Sequence, residues 1–284
     1  MKYFIDFEFL EGDVPVKLLG YNIPKWLIKP NNTIQPISVG LVCNDGREYY
    51  AISKDFNLKE AWNRWQQRTG EGDRNNIEPR LYWIRDNVLK PIFNELVYKF
   101  AGEEYKANQI NCTVGYNPPM RFTYKNFRKL INKYGKSREQ ISAEIQYFTL
   151  GEYTHIDGEK IISPDRPNIK GNPEFYGYYS DYDWVLFCSL FGRMMDLPKG
   201  FPMYCKDLKQ MFDEKANSYT SEQLSKIEYP TVSHNVLEYL ESSGKIDKPI
   251  HLKTHKDYPI QENEHNALDD ARWNKKLFDF INGL

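Results

Sequence analysis

Across 284 residues, 38 Lys and Arg face 39 Asp and Glu, leaving a net charge of −1. That balance excludes a polycation that coats nucleic acid without regard to sequence, and leaves a local nucleic-acid site open. Hydrophobic residues at 40% and aromatics at 15% supply a sizeable core and exclude a disordered chain. No stretch approaches the ~20 apolar residues of a membrane span. The start, MKYFIDFEF, sets acids inside an apolar stretch and shows no small-residue cleavage site, so a cytoplasmic protein is expected. The cysteines at 43, 112, 188 and 205 form no CxxC pair, which predicts thiols in a reducing compartment.

Residues 2–10 read as a first strand, rich in aromatic and β-branched side chains. Residues 12–33 are expected to be irregular. Residues 34–43 and 47–53 read as strands joined at Asn44-Asp45-Gly46, a hairpin signal, so the fold begins with antiparallel strands. Helical spacing follows over 57–68 and 80–99, with Pro91 expected to kink or split the second. Residues 100–121 read as irregular, and 123–134 and 137–149 as helices. Ser137 and Gln140 fit a capping box at the start of the latter. Residues 150–173 read as a hairpin or long loop, 174–180 as a strand and 183–193 as a helix. A short strand at 202–206 precedes helices at 207–214, 221–227, 233–242 and 264–282. This order implies helices layered on a mixed sheet, an α/β fold.

Three segments place acids where apolar residues are expected. In Phe4-Ile5-Asp6-Phe7-Glu8-Phe9, alternation puts Asp6 and Glu8 on one face of an apolar strand. Two like charges there repel, and burial costs each ion several kcal/mol, roughly. A hard divalent cation such as Mg²⁺ or Mn²⁺ relieves both, whereas a wet edge strand needs no ion. In the second segment, Tyr182-Asp183-Trp184, Asp183 opens a helix with an otherwise apolar face, while Asp181 reads as a helix cap or dipole partner. The third segment is His265-Asn266-Ala267-Leu268-Asp269-Asp270. Ala267, Ala271, Asn274, Phe278 and Ile281 form an apolar stripe, with Asp270 about 60° from its centre and Asp269 on the far side. With Asn263 as a plausible N-cap, His265 shares a site with Asp270 by lying in the first turn or just before it. Four carboxylates and a titratable base are what two-metal phosphoryl transfer requires.

These segments resemble the three motifs of the DEDDh 3′-to-5′ exonuclease superfamily. Its Asp-x-Glu matches Asp6-Phe7-Glu8, its aromatic-Asp matches Tyr182-Asp183, and its His-x-Ala-x-x-Asp matches His265 to Asp270. A closer resemblance is to the ribonuclease AS family of adenylate-specific exoribonucleases, found across bacteria and phages. It rests on YFIDFEFLEG, ISVGLVCNDGREYYAIS, YYSDYDWVLFCSLFGRMMDLPKGFPMYCKDLKQM and HNALDDARWN, about a quarter of the chain. The resemblance implies an RNase H-like fold with three antiparallel and then two parallel strands, forming a single domain with insertions at about 12–33, 60–79, 100–136 and 150–173. It implies that Asp6, Glu8, Asp183 and Asp270 hold two Mg²⁺ or Mn²⁺ and that His265 is the general base. The reaction so implied cuts single-stranded RNA from its 3′ end into nucleoside 5′-monophosphates, with an adenylate preference, in an enzyme expected to dimerise. The sequence departs from the pattern at Phe7, Phe9 and Leu10, where relatives carry smaller or hydroxyl residues, and at Tyr179-Ser180, where many carry Asn.

Phe7, Phe9 and Tyr182 are candidate substrate contacts, Phe9 by stacking on the terminal base, with a core position as its alternative. Residues 121–138 carry seven cations with interleaved aromatics, a path for a single strand or a solvated basic helix face. Lys206 and Lys209 are weaker candidates. Two rival readings are a DNA exonuclease, separated from the RNA enzyme by a 2′-OH contact, and a nuclease-like binding module without activity. Retention of all five motif residues speaks against the latter.

Overall fold

The computed structural model describes residues 1–14, 17–18, 21–23, 27, 31–65, 81–108, 120–154, 160–162, 171–219, 252–253 and 255–284. The helices expected at 221–227 and 233–242, and Cys112, lie outside them. Among the described residues, the long strands β1 (Lys2–Val14), β4 (Asn31–Cys43) and β5 (Glu48–Ile52) join the short β8 (Glu174–Gly177) and β9 (Lys206–Asp207). They form a five-stranded mixed sheet in the order β5-β4-β1-β8-β9. The first three strands are antiparallel. β8 runs parallel to β1, with Phe4 opposite Tyr176, and β9 runs parallel to β8. This is the expected α/β architecture of an RNase H-like fold. The β4–β5 turn closes through Cys43 N–H to the Arg47 carbonyl at 2.8 Å, as Asp45-Gly46 predicts.

Two expected irregular stretches are partly regular. β1 continues to Val14, short β2 (Lys17–Leu18) pairs with β3 (Tyr21–Asn22), and β4 starts at Asn31, all within the span 12–33. Strand propensity there is weak, but ladder pairing overrides it. Residues 152–162 do form a hairpin, of β6 (Glu152–Thr154) and β7 (Lys160–Ile162).

The chain divides into two compact units, one of Met1–Asp6, Gly40–Tyr49 and Gln146–Leu284, the other of Phe7–Val39 and Tyr50–Ile145. In the second, α1 (Leu58–Asn63) ends five residues before the sequence predicts, as Arg64 turns extended. Helix α2 (Lys90–Asn108) is preceded by a π-helical turn, Arg85–Leu89, in which Lys90 N–H bonds the Arg85 carbonyl. Proline lacks the N–H for an α-helical bond and crowds the preceding turn, so the wide turn before Pro91 answers the expected kink. Beyond residue 99 the chain stays helical to Asn108, because Ala101, Glu103, Glu104, Lys106 and Ala107 are strong helix formers that outweigh Gly102. Helix α3 (Tyr124–Tyr134) is capped by Thr123, and α4 (Arg138–Leu150) opens with the predicted box. Ser137 N–H donates to Gln140 at 2.9 Å, and Gln140 N–H to Ser137 at 3.3 Å. The apolar faces of α2 and α3 bury Phe93, Leu96, Phe127 and Leu130 in one core, together with Val88 of the π-helical turn.

In the first unit, α5 (Asp181–Phe191), α6 (Leu208–Ser218) and α7 (Ala267–Gly283) follow β8, β9 and the last loop. Phe4, Tyr176 and Phe278 pack ring to ring at 4.8–5.5 Å, with Phe212, Ala271 and Leu277 buried in the same cluster. Each large apolar side chain so buried contributes about 1.5–3 kcal/mol. This core fixes α7 against β1. Cys43 and Cys188 are buried thiols, and Cys205 is partly buried. Among the described residues, no helix is long and apolar enough to cross a membrane.

Candidate active site

β1 carries Tyr3, Ile5 and Phe7 on one face and Phe4, Asp6 and Glu8 on the other. Phe4 is buried, while Asp6 and Glu8 are half-buried at the strand's middle. Helix α7 crosses the Phe4 face. Phe278 touches Phe4, and Asn274 donates its amide to the Ile5 carbonyl at 2.9 Å. One turn nearer the helix start, Asp270 offers a carboxylate oxygen within 4.8 Å of one from Asp6. Asp6 lies within the same distance of Glu8, its neighbour two residues along the strand.

Asp270 is 7% exposed. It accepts hydrogen bonds from Gln261 Nε2 at 2.7 Å and from the His265 main-chain N–H at 2.9 Å. Burial pushes its carboxyl above the usual aspartate range, and the two hydrogen bonds pull it back only in part. Acid side chains set this close, one of them desolvated, are electrostatically costly unless a cation joins them. Three carboxylates are hard oxygen donors, so the residues present fit Mg²⁺ or Mn²⁺. Asp269 faces outward, paired with Arg272 at 2.6 Å, as the helical wheel predicts.

Helix α7 starts at Ala267, not at 264. Asn266 is its cap, accepting from Leu268 and Asp269 N–H at 3.1 and 3.3 Å, so the expected Asn263 cap is corrected. Asn263 and His265 hold left-handed backbone, φ 51° and 70°, which ends any helix before the cap. His265 thus lies two residues before the helix, half-buried, tied by its own N–H to Asp270.

Asp183 sits in the first turn of α5 and is 6% exposed, whereas Asp181 beside it is exposed. The turn entering α5 follows β8, and a Cβ on Gly177 would lie 2.9 Å from the Ser180 Cβ in that turn. Parallel pairing therefore starts α5 at the end of the sheet where Asp6 stands. Ser180 N–H bonds Asp207 Oδ2 at 2.8 Å, and Asp207 Oδ1 caps α6 through Gln210 N–H at 2.9 Å. Among the described residues, the carboxylates that gather within 4.8 Å are those of Asp6, Glu8 and Asp270. Asp183 and His265 stand outside that group.

Of the aromatic candidates, Phe7 is 3% exposed and belongs to the core, because it alternates away from the acids. Phe9 is half-buried, and Tyr182 is 51% exposed. Lys206 binds Glu174 at 2.5 Å and the Tyr176 hydroxyl at 3.1 Å, and Lys209 pairs with Asp213, so both are engaged within the fold.

Sequence reasoning passed over three residues that position the site. A Cβ on Gly40 would lie 2.2 Å from the Ala267 carbonyl oxygen, so only glycine lets α7 begin against β4. An isolated glycine within a strand pattern is the signal for such a close approach. Asn274 was legible as a polar residue on the apolar stripe. Gln261 and its bond to Asp270 carried no local signal.

The chain has relatives of known activity. It is 24% identical, over 215 residues covering 76% of each chain, to 3′-5′ exoribonucleases from two strains of Mycobacterium tuberculosis. No protein-family model matches it.

Proposed function

We propose that this protein is a metal-dependent 3′-to-5′ exoribonuclease that removes nucleoside 5′-monophosphates from single-stranded RNA, with a preference for adenylate ends. The observation that carries the reading is the group of three carboxylates that β1 and the start of α7 bring together. Similarity to two 3′-5′ exoribonucleases supports the substrate and the direction of attack.

In this reading Asp6, Glu8 and Asp270 hold Mg²⁺ or Mn²⁺, with Asp183 completing the set. Bound ions supply a water activated for attack and charge stabilisation at the leaving oxygen. The chain's own residues do the rest. His265 accepts the proton of the attacking water at an imidazole nitrogen, from a position that its main-chain bond to Asp270 fixes. Gln261 and the His265 N–H hold both Asp270 oxygens, so the carboxylate keeps one orientation. Phe9 and the exposed Tyr182 offer faces for base stacking.

The test is a time course on 5′-labelled oligoadenylate, mixed RNA and matching DNA, with Mg²⁺, Mn²⁺ or EDTA. The expected result is a metal-dependent ladder shrinking from the 3′ end of RNA, fastest on oligoadenylate. Shortening of DNA alone moves the assignment to a DNA exonuclease, and retention without cleavage moves it to a binding module.

A further inference from the structure

We infer that the exposed face of α3, built on Lys125, Arg128 and Lys129, is a docking surface for the phosphodiester backbone of RNA. The inference rests on the exoribonuclease reading for the identity of the polyanion, and on α3 itself for its existence.

Residues 121–138 carry seven cations and no acid. The helix buries Phe127, Leu130 and Ile131 and turns Lys125, Arg128 and Lys129 to solvent. These three lie three and four residues apart, so they share one face. Lys133, a further turn on, is already engaged by Glu103 at 2.9 Å, and Lys136 by Glu144 at 2.5 Å. The Lys129 ammonium also lies 4.9 Å from the Phe100 ring centre, a cation–π contact that holds it at the exposed face. Among the described residues, Lys125, Arg128 and Lys129 have no acid partner.

A basic face kept only for solubility is built differently, and this chain shows how. Helix α1 pairs Glu60 with Arg64, α6 pairs Lys209 with Asp213, and α7 pairs Asp269 with Arg272 and Lys275 with Asp279, all three or four residues apart. Helix α3 instead sets Lys125, Lys129 and Lys133 four residues apart in succession, like charge on like charge. Its first turn contains Lys125 and no acid, although the helix dipole favours acids there. Both choices oppose helix stability. A polyanion lying along the face reverses the sign of each, and a single strand of RNA supplies regularly spaced phosphates.

The experiment compares the full-length protein with its Lys125→Ala, Arg128→Ala, Lys129→Ala triple variant. Binding of a labelled oligoadenylate about 20 nucleotides long, enough to span a single-strand site, is followed by anisotropy in EDTA, so that no cleavage intervenes. Affinity is read across a salt series. The expected result is a loss of about tenfold or more at low salt, with the slope of log affinity against log salt falling by about 0.7 for each lost phosphate contact. The variant should melt within a few degrees of wild type, because relieved repulsion and better helix propensity offset the lost Lys129–Phe100 contact. Unchanged RNA affinity and slope in a folded variant overturn the inference. So does a variant that keeps RNA binding but loses binding to anionic lipid vesicles, which reassigns the face to a membrane surface. If wild type cleaves no RNA, the exoribonuclease reading fails, while the salt slopes still decide the docking surface.

Discussion

Asn274 donates its side-chain amide to the main-chain oxygen of Ile5 at 2.9 Å, in a buried contact that joins the last helix to the first strand. Phe278 on Phe4 lies on one side of it, and Asp270 beside Asp6 on the other. The bond thus sets the height at which α7 presents its carboxylate to β1. Asn274→Ala should lower stability by about 1–3 kcal/mol, the cost of a buried hydrogen bond lost with one partner left behind. It should also weaken Mn²⁺ binding about tenfold, as loss of an outer positioning contact does. Urea unfolding and calorimetric titration measure the two. Destabilisation with unchanged Mn²⁺ affinity would confine Asn274 to structure.

Gly40 makes a second test of the same packing. In Gly40→Ala the new methyl would meet the Ala267 main chain, which cannot swing aside as a side chain does. A loss of about 1–3 kcal/mol is expected from overpacking. Because Ala267 begins the helix that carries Asp270, Mn²⁺ affinity should fall with it. Gly102→Ala is the contrast. Nothing lies within 4 Å of the added methyl, and Gly102 is inside α2, so a gain of about 0.5–1 kcal/mol is expected. Chemical denaturation of both variants checks the pair, and equal effects would sink the close-approach account.

Much of the site was legible because its signals are local. The alternation of Asp6 and Glu8 and the wheel position of Asp270 are periodicity arguments, and burial follows both. The capping box at Ser137 and the turn at Asp45-Gly46 were readable for the same reason. The start of α7 was not. Asn263 and Asn266 are both good caps by residue type, and the choice falls to Asn266 because the backbone at 263 and 265 is left-handed. Continuation of β1 to Val14 and of α2 to Asn108 was hidden too. The first depends on pairing with distant residues, and the second on a sum of helix propensities that one glycine does not cancel.

The two acids at the start of α5 have opposite environments, and this separates their roles. Asp183 is buried, and Asp181 is exposed. Asp183→Asn should reduce RNA cleavage by more than the ~100-fold that outer partners of a metal ligand cost, with the fold intact. Asp181→Asn should cleave within about twofold of wild type, since exposed substitutions away from special features change little. Initial rates in Mn²⁺ decide it, and the reverse ranking would discard the motif assignment.

His265 acts on Asp270 through its backbone and on water through its ring, so the side chain is separable from the site's geometry. His265→Ala keeps the main-chain bond to Asp270. Turnover should fall by about 10²–10⁴-fold, the usual contribution of a general base. Mn²⁺ affinity by calorimetry should stay near wild type. A large loss of Mn²⁺ binding would instead make His265 a ligand.

Asp270 carries a conflict between stability and chemistry that pH exposes. Burial raises its carboxyl above the ordinary aspartate value near ~3.9. A raised acid favours the folded state when it is protonated. Its contribution is therefore complete below the ordinary value and is lost as pH rises through the raised one. Without divalent ions, Asp270→Asn should melt above wild type at neutral pH by a few degrees, the scale of ~1 kcal/mol in a protein of this size. The asparagine amide keeps both contacts, accepting from His265 N–H and donating to a flipped Gln261 side chain. Below about pH 4, near the ordinary aspartate value, the two proteins should melt together, because wild type is then neutral at the same position. Adding Mn²⁺ should raise the melting temperature of wild type alone, by an amount that grows with ion concentration. The variant should be inactive throughout. Calorimetric melts over a pH series, with and without Mn²⁺, check each step. A variant less stable than wild type at neutral pH without metal would show that Asp270 is held by its hydrogen bonds and not strained by its burial.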